Sequence, residues 1–456
     1  MLSMSRTRAH GVIYELKQAK RFASTTTTTT TTTTPQHKHK IVIVGAGTGG
    51  TTVSAQLLRA FKSEGRPLNK HDIAIVDPAQ RHHYQPGWTL VGSGLQPLSK
   101  MSKPTNQVIP QGVKLYSLGV ASFKPDQNEI TTTDGTTLSY DYLVVAPGLS
   151  TNFDQIQGLT EALKDSSSGV SSIYSLQSVE KAWNDIKSFK GGKAIFTAPA
   201  GPVKCAGAPL KIMWMALSQW KKDGIRSSVD PSFATGNPVI FAVPKYAAAL
   251  EKLRKERNVE GLYNHNLVKV DGKNKIATFK TNDGKLVEEK FDLLHVTPPQ
   301  GPLEFVKQSP LADATGWISV NQSTTQHTKF SNIFSLGDAS SMPNSKTAAA
   351  ISAQAPVLVD NLRAHLDGEK TLPAKYDGYA SCPLLTGHNE LMLAEFKYGG
   401  VPKETFARFV GSQDKPNAFF YWLKKDFFPQ AYWSAFLKGI WFGPKTFFRP
   451  IAYMKQ

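Results

Sequence analysis

The sequence predicts an α/β protein with two doubly wound sheets and a helical C-terminal region. Six short apolar runs alternate with longer helix-like stretches, and buried parallel strands give such runs because helices cover both sheet faces. The first run leads directly into a glycine-rich turn and a helix. The length, 456 residues, suits two or three domains. The runs predicted as strands are 41–47, 72–77, 142–148, 194–199, 238–243 and 333–338.

Charge and cysteine content limit the kinds of ligand and structural class that the protein can have. The net charge is +18, which suits nucleic acid, an anionic membrane or an anionic substrate. The basic residues are spread along the chain rather than grouped, so we do not expect nucleic-acid binding. Two cysteines 177 residues apart exclude a disulfide scaffold. We expect no metal site, because His82 and His83 are neighbours that point to different sides of an extended chain.

The N-terminal segment, residues 1–24, is typical of a mitochondrial transit peptide. It is basic and weakly apolar, with Glu15 as its one acid. A disordered basic tail is the alternative. The run of ten threonines from Thr25 to Thr34 is interpreted as a low-complexity linker. The basic residues of the segment are Arg6, Arg8, Lys17, Lys20 and Arg21.

The turn after the first strand matches a dinucleotide-binding fingerprint. Gly45, Gly47 and Gly50 fit G-x-G-x-x-G, and a helix is predicted over Thr51–Phe61. The glycines provide a tight turn, close approach to a pyrophosphate and close helix–strand packing. Asp77 ends the second strand and is predicted to bind a ribose hydroxyl, with a capping or solvated carboxylate as the alternative.

Two later segments indicate which dinucleotide binds. Tyr142–Gly148 is a strand ending in Pro-Gly, and Phe330–Asp338 is a strand ending in Gly-Asp, followed by a small-residue helix from Thr347 to Gln354. Together with the first turn, this set resembles the flavoproteins with two dinucleotide domains, the pyridine nucleotide-disulfide oxidoreductases. The resemblance implies FAD as the cofactor and Asp338 as the carboxylate that binds its ribityl chain.

The second dinucleotide turn is degenerate. After the strand Ala194–Pro199 the glycine spacing is wrong, and prolines, which offer no N–H to a phosphate, intrude. The turn carries Cys205 beside Lys204 instead. This predicts a second Rossmann-like domain without a nicotinamide site. The prolines are Pro199, Pro202 and Pro209.

The two cysteines are interpreted as a redox pair, although composition alone favours two buried structural thiols. Cys205 precedes the apolar helix Leu210–Trp220, and a helix N-terminus and the adjacent Lys204 both favour a thiolate. Cys382 lies between the predicted FAD domain and the aromatic tail. A thiolate is the form that attacks sulfur.

Several longer segments look like those of the mitochondrial-type sulfide:quinone oxidoreductases, from about residue 40 to the C-terminus. In that family two cysteines flank the flavin, and by motif position these are Cys205 and Cys382. With no third cysteine, the FAD is expected to be non-covalent. The segments are His83–Gly92, Pro202–Pro209, His295–Pro299, Ser345–Ala350 and Tyr376–Pro383.

The resemblance also implies a set of FAD contacts. Lys346 would stabilise negative charge on the reduced flavin, although the residues alone leave a surface lysine equally possible. The implied cofactor-binding residues are Gly45, Gly47, Thr48, Gly49, Gly50, Asp77, Gln85, Val120, Asp338 and Lys346.

The resemblance implies a reaction cycle. Sulfide attacks a disulfide or trisulfide at Cys382 and leaves a persulfide, while the released Cys205 thiolate adds to the flavin or forms a charge-transfer pair with it. A small acceptor such as glutathione or sulfite removes the sulfane sulfur. Ubiquinone-type quinone then takes two electrons from FAD.

The C-terminal segment from Asn417 is predicted to bind a membrane surface. Fourteen aromatic residues and six basic residues occur in forty positions, against the single acid Asp426. Pro429 is predicted to divide the stretch into two amphipathic helices, each too short to span a bilayer. The alternative is an aromatic core helix. Such a tail would reach a quinone dissolved in the membrane.

These observations predict a domain organisation and a location. The location is the mitochondrial inner membrane, bound peripherally on one face. The predicted parts are a transit peptide and linker (1–39), the FAD domain (40–155 and 301–375), a second Rossmann-like domain with Cys205 (156–300) and a C-terminal region with Cys382 and the membrane-binding helices (376–456).

Two other functions stay open on the sequence. A type II NADH:quinone oxidoreductase shares the fold, FAD and a membrane-binding tail, but needs the second glycine fingerprint that this chain lacks. A flavoprotein-like scaffold that binds a partner without catalysis belongs to a different class, and would purify without a yellow colour.

Overall fold

The computed structural model describes residues 36–454, so the predicted transit peptide and all ten threonines of the linker lie outside the described residues. The strands are β1 Gln36–Val44, β2 Ile73–Val76, β3 Arg81–His83, β4 Ser102–Pro104, β5 Lys114–Tyr116, β6 Val120–Lys124, β7 Glu129–Thr132, β8 Thr137–Val145, β9 Ser150–Thr151, β10 Val170–Ser171, β11 Gly192–Ala198, β12 Val229–Thr235, β13 Glu260–Tyr263, β14 His265–Asp271, β15 Ile276–Thr281, β16 Leu286–Lys290, β17 Leu293–His295, β18 Gln300–Gly301, β19 Ile333–Ser335, β20 Ala380–Gly387, β21 Glu390–Lys397 and β22 Val401–Pro402.

Helices cover the sheets and connect the parallel strands. The α-helices are α1 Thr48–Ser63, α2 Trp88–Val91, α3 Thr105–Val108, α4 Leu159–Lys164, α5 Val179–Ser188, α6 Ala208–Lys222, α7 Pro244–Glu256, α8 Glu304–Lys307, α9 Ala348–Leu366, α10 Ala407–Val410, α11 Ala418–Trp422 and α12 Phe428–Ala431.

The first large sheet holds the glycine turn. Its parallel strands lie in the order β5-β2-β1-β8, with β19 also paired to β8 and with β7 and β6 added in antiparallel fashion. Ile41, at its centre, pairs with Ile73 on one side and Tyr142 on the other. Residues 41–43 are fully buried, which explains why β1 is a continuous apolar run.

The second large sheet is all-parallel, in the order β10-β17-β11-β12-β13. The prediction of a strand at 238–243 is wrong. The sheet strand in this part of the chain is β12, and 238–243 is a loop leading to α7. Ile240 and Phe241 are buried by side-chain packing against the core. Apolar content alone does not separate a buried loop from a strand, and Pro238 lacks the N–H that a strand needs.

A third, antiparallel sheet, β20-β21-β22, packs against helix α6. Cys382 lies on β20, whereas Cys205 lies just before α6. This packing is what brings the two cysteines together from distant parts of the chain. The α/β class with two Rossmann-like sheets, predicted from the sequence, is confirmed.

The predicted division of the tail into two helices is wrong. Helical structure runs without a break over 418–436, alternating α11 and α12 with π-helical turns at Leu423–Phe427 and Tyr432–Phe436. Pro429 sits in the first turn of α12, immediately after a π-turn. A π-turn replaces the usual i→i−4 bonding, so the missing proline N–H does not end the helix here.

The last residues of the chain are fastened to α9 by a buried carboxylate. Asp360 is fully buried and accepts hydrogen bonds from Arg363, at 2.9 Å, and from Arg449, at 2.7 Å. The backbone N–H of Ala452 donates to its other oxygen at 2.9 Å. Arg363 also pairs with Glu64 of the segment after α1. A single buried acid therefore holds the end of the tail against the first domain.

Within residues 36–454, every helix is too short or too polar to cross a lipid bilayer.

We expect Asp360→Ala to destabilise the protein by about 3 kcal/mol, because it leaves two arginines without their shared buried partner. The midpoint of urea unfolding measures the loss. Asp283→Ala, in an exposed hairpin turn, is the matched control and should change the midpoint little. Equal small effects of the two substitutions would contradict the anchoring role of Asp360.

Candidate active site

Two sulfur atoms from distant parts of the sequence meet at the centre of the protein. The Sγ atoms of Cys205 and Cys382 are 3.8 Å apart, and both residues are free thiols. Cys382 is buried, with 1% of its surface exposed, whereas Cys205 is half-buried and lines a cavity. The predicted pair is therefore in contact, close enough for sulfur exchange after a small movement.

The turn before α6 holds Cys205 in an uncommon backbone conformation. Its φ is +52°, in the left-handed region that residues with a side chain rarely adopt. Two hydrogen bonds hold this conformation: the Cys205 N–H donates to the Lys346 carbonyl at 2.8 Å, and the Ala208 N–H donates to the Cys205 carbonyl at 2.7 Å. The backbone thus aims the sulfur at the cavity.

Glycine at position 207 is required for the close approach of the second sulfur. A Cβ atom on Gly207 would lie 2.6 Å from the Cys382 Sγ and 2.5 Å from Leu384. Atoms that are not bonded do not approach so closely, so any side chain here would push β20 away from the turn.

A buried lysine sits beside the thiols. Lys211, in the first turns of α6, is 1% exposed, and its Nζ donates to the Cys205 Sγ at 3.1 Å. The hydrogen bond from Cys382 and the Lys211 charge lower the pKa of Cys205 well below its usual value, against the effect of burial. The same contact with Cys205 and burial raise the pKa of Cys382. The pair therefore holds one thiolate, on Cys205, and one thiol, on Cys382.

A second buried lysine comes from the tail. Lys424 is 2% exposed, and its ammonium donates to the Pro86 carbonyl at 2.7 Å. Burial and the Lys211 charge lower the pKa of Lys424 to about 7, while the two cysteines oppose the shift. Lys424 therefore changes charge near neutral pH, beside the sulfur pair.

The Cys205 thiol opens onto a cavity of about 610 Å³, a size typical of cofactor and ligand sites. Several parts of the chain line it, among them the glycine turn, the segment 84–89, the Cys205 turn, the residues after β19 with the start of α9, the third sheet and the aromatic tail. The lining residues predicted from the sequence are Gly47, Thr48, Gly49, Gln85, Cys205, Asp338 and Lys346. The lining residues of the tail are Trp422, Leu423, Lys424, Phe427, Phe428, Ala431, Tyr432, Phe436, Trp441, Gly443, Pro444, Thr446 and Phe447.

The glycine turn fits a dinucleotide. A Cβ on Gly45 would lie 2.3 Å from the Ala146 carbonyl oxygen, and one on Gly50 would lie 2.0 Å from the Gly45 oxygen. Gly47 lines the cavity, has open space around it and is the N-cap residue before α1, whose first turn has no capping side chain. The first N–H groups of the helix are thus available to a pyrophosphate. The residues of this turn therefore fit the phosphates of FAD.

Of three further residues predicted to bind the cofactor, Gln85 lines the cavity, whereas Asp77 and Val120 are not among its lining residues. Asp77 accepts a hydrogen bond from the Ala46 N–H at 2.6 Å and so braces the glycine turn. Val120 begins β6 and packs in the core below the sheet. Gln85 accepts from the Lys204 ammonium at 2.9 Å.

Asp338 and Lys346 lie together on the cavity wall. The Lys346 ammonium donates to the Asp338 carbonyl oxygen at 2.8 Å. Burial lowers the pKa of Lys346 to about 8, although Asp338 opposes the shift. Burial raises the pKa of the Asp338 carboxyl, and Lys346 and Lys204 oppose that shift. The Lys346 ammonium is thus held at the backbone of Asp338, where the resemblance predicted flavin contacts.

Sequence reasoning missed Lys211, Lys424, Gly207 and the tail residue Tyr432. Lys211 had a recognisable signal, since it is a lone lysine inside the apolar run 210–217. Gly207, Lys424 and Tyr432 had none, because their roles depend on contacts with residues far away in sequence.

The chain is similar to a known family and to known proteins. Residues 39–190 match the family model described as pyridine nucleotide-disulphide oxidoreductase. The chain is 46% identical over 419 residues to the mitochondrial sulfide:quinone oxidoreductase of Schizosaccharomyces pombe, covering 89% of this chain and 91% of that protein. It is 47% identical over 407 residues to the protein of the same name from Dictyostelium discoideum, covering 89% and 87%.

A solved structure shows the same fold. The sulfide:quinone oxidoreductase of Aquifex aeolicus superposes with a TM-score of 0.68 at 18% identity, covering 86% of this chain and 91% of that one. The curated relatives support a sulfide:quinone oxidoreductase over the two alternatives, the type II NADH:quinone oxidoreductase and the non-catalytic scaffold. With 46% and 47% identity across about nine-tenths of its length, the chain belongs to the family of mitochondrial sulfide:quinone oxidoreductases.

Proposed function

We propose that this FAD-dependent sulfide:quinone oxidoreductase carries out its sulfur chemistry on Cys205 and Cys382. The observation that supports this is the 3.8 Å contact between the two sulfurs at a cavity that also reaches the glycine turn. An S–S bond is about 2.05 Å long, and two such bonds meeting at a bent sulfur span about 3.3 Å. A closure of about 0.5 Å therefore suits a bridge containing one extra sulfur, and a larger closure gives a direct disulfide.

The charges around the pair set the direction of the first step. HS⁻ attacks a Cys205–Cys382 disulfide at the Cys382 sulfur, forms the Cys382–S–SH persulfide and expels Cys205 as a thiolate. The leaving thiol in such an exchange is the one with the lower pKa. The hydrogen bond from the Cys382 thiol and the Lys211 charge lower the pKa of Cys205 in the reduced pair. Lys211 still faces the Cys205 sulfur when Cys382 becomes a persulfide, so Cys205 is the better leaving group. With a trisulfide the same attack leaves a perthiolate on Cys205.

The next steps return the pair to its starting state. A small thiol or sulfite removes the outer sulfur of the persulfide and leaves Cys382 as a thiolate. The buried lysines attract such anionic nucleophiles to the cavity. Bound FAD supplies the two-electron acceptor that returns the dithiol to a disulfide and delivers the electrons to quinone. Gly47, Thr48, Gly49, Asp338 and Lys346 are the residues proposed to hold it, without a covalent bond.

The tail side of the cavity suits a quinone. Its wall is aromatic, and the surface around it exposes apolar side chains: Phe419, Trp422, Phe447, Phe448, Ile451 and Met454. An apolar quinone dissolves in the bilayer, so the site that reduces it must open towards lipid. We therefore propose that this surface lies in the interfacial layer of the membrane.

The chain is a mitochondrial protein, and we assign it to the inner membrane, bound at one face. We also propose that the chain is divided into domains at the boundaries predicted from the sequence. Residues 40–155 and 301–375 contain the first large sheet and α9, residues 156–300 contain the second large sheet, and residues 376–456 contain the third sheet and the tail.

We expect Cys205→Ser and Cys382→Ser each to slow flavin reduction by sulfide by at least about a hundredfold, because each removes one end of the sulfur bridge. Stopped-flow absorbance of the flavin measures the rate. Reduction of both variants by dithionite is the control that FAD is bound and reducible. Near-normal reduction by sulfide in either variant would remove that cysteine from the mechanism.

We expect Lys211→Met to move the pH dependence of Cys205 alkylation to higher pH. Loss of the ammonium raises the pKa of Cys205, so less thiolate is present at neutral pH and alkylation slows there by about tenfold. The measurement is the rate of iodoacetamide labelling against pH, after phosphine reduction of the cysteines. Lys221→Met, at the exposed end of the same helix, is the control. An unchanged profile in Lys211→Met would contradict thiolate stabilisation by Lys211.

We expect the triple substitution Phe447→Ser, Phe448→Ser and Ile451→Ser to weaken vesicle binding by at least about tenfold, because it removes three exposed apolar side chains from the tail surface. Co-sedimentation with vesicles of phosphatidylcholine and cardiolipin measures the affinity. Leu286→Ser, at an equally exposed apolar residue of β16, should leave it unchanged. Equal binding of the triple variant and wild type would exclude this surface.

A further inference from the structure

A tyrosine of the tail is hydrogen-bonded to the dinucleotide turn. Tyr432 is 2% exposed, and its hydroxyl lies 2.8 Å from Thr48 Oγ1 and 2.5 Å from His82 Nε2. Thr48 is the first residue of α1 and lines the cavity at the turn. A residue 384 positions away in the sequence is therefore in direct contact with the cofactor-binding turn.

The direction of these hydrogen bonds follows from His82. Its Nδ1 lies 2.8 Å from the Ala46 carbonyl oxygen, and a carbonyl only accepts, so Nδ1 carries the proton. Burial lowers the pKa of His82 to about 4, so the ring is neutral and Nε2 is an acceptor. The Tyr432 hydroxyl therefore donates to His82 and accepts from Thr48. The chain of bonds starts at Thr48 and ends at Ala46, which are both in the glycine turn.

Other tail contacts hold the same face of the first domain. Arg59 of α1 donates to the Lys438 carbonyl at 2.8 Å. A Cβ on Gly439 would lie 2.9 Å from the Gln56 N atom, so the tail backbone packs directly on α1. The tail therefore lies against α1 and contributes Tyr432 and Phe436 to the cavity wall.

From these contacts we propose that Tyr432 couples docking of the tail to binding of FAD. The docked tail fixes the Thr48 side chain and the Ala46 carbonyl in the geometry of the turn, and so preorganises it for the pyrophosphate. Coupling of this kind is reciprocal, so FAD stabilises the docked tail by the same factor. Tyr432 is in this sense a positioning residue.

The coupling has a consequence for membrane binding. The tail also carries the exposed aromatic surface assigned to the lipid. FAD would then increase the fraction of the protein that presents this surface in its docked form. The inference rests on FAD occupying the cavity, as in the proposed function, but is independent of the cysteine chemistry.

The first test is the affinity for FAD, measured by titrating the FAD-free protein with the cofactor. Tyr432→Phe removes the hydroxyl and leaves His82 Nε2 buried without a donor, so the Kd should rise about tenfold, equivalent to about 1.4 kcal/mol. Tyr421→Phe is the matched control, because it lies in the same helical stretch with its hydroxyl beside the Asn389 backbone. Its Kd should stay within about twofold of wild type. A Kd within twofold for Tyr432→Phe would overturn the proposal.

The second test needs no variant. Hydrogen exchange of the wild-type tail, residues 428–442, is compared with and without FAD. We expect exchange to be at least about tenfold faster without FAD, while the hairpin β15–β16 exchanges equally in both states. Equal exchange of the tail in both states would overturn the proposal. Neither test uses sulfide or quinone, so failure of the cysteine mechanism would leave both results interpretable.

Discussion

The arrangement of the site depends on one buried charge, the ammonium of Lys211 beside the two cysteines. A thiolate away from water is unfavourable unless a cation or hydrogen-bond donors face it. Lys211 and the Cys382 thiol both face the Cys205 sulfur, and Lys211 keeps its own charge because the cysteines offset its burial. The lysine and the thiolate stabilise each other, and removing either one leaves the other buried without its partner.

Several unusual features of the surrounding fold serve this contact. Cys205 takes a left-handed backbone conformation, and position 207 carries no side chain, so that β20 can approach the turn. The Cys205 N–H is hydrogen-bonded to Lys346, which lies on the cavity wall beside Asp338. A backbone hydrogen bond therefore fixes Cys205 relative to Lys346, which is one of the residues proposed to hold FAD. This arrangement suits electron transfer from the sulfur pair to FAD.

The cavity explains why one chain contains both the sulfur pair and the aromatic tail. One wall carries the glycine turn, Lys211 and Lys346. The tail wall is aromatic apart from residues such as Lys424, and it includes the exposed side chains of Trp422 and Phe447. The proposed function follows this division, with a water-soluble anion and a lipid-soluble quinone reaching one cofactor site from two sides. Tyr432 connects the two walls, because it belongs to the tail wall and its hydroxyl is hydrogen-bonded to Thr48 next to the glycine turn.

The sequence by itself determined the fold class and the position of the glycine turn, and its resemblance to a family selected Cys205 and Cys382 as a pair. The fold class and the turn are encoded locally: an apolar run marks a buried parallel strand, and glycine spacing marks a turn that a phosphate can approach. Where a local signal was ambiguous, the prediction failed. The apolar segment 238–243 is a buried loop, and Pro429 does not end the tail helix because a π-turn precedes it.

Only the tertiary structure decided how these parts act together. The 3.8 Å contact between Cys205 and Cys382 comes from the packing of α6 on β20, across 177 residues of sequence. The roles of Lys424 and Tyr432 come from the tail folding back over the first domain. Distances between residues far apart in the chain, and the pKa values that depend on them, are set by packing of the whole core, and no local pattern of residues carries that information.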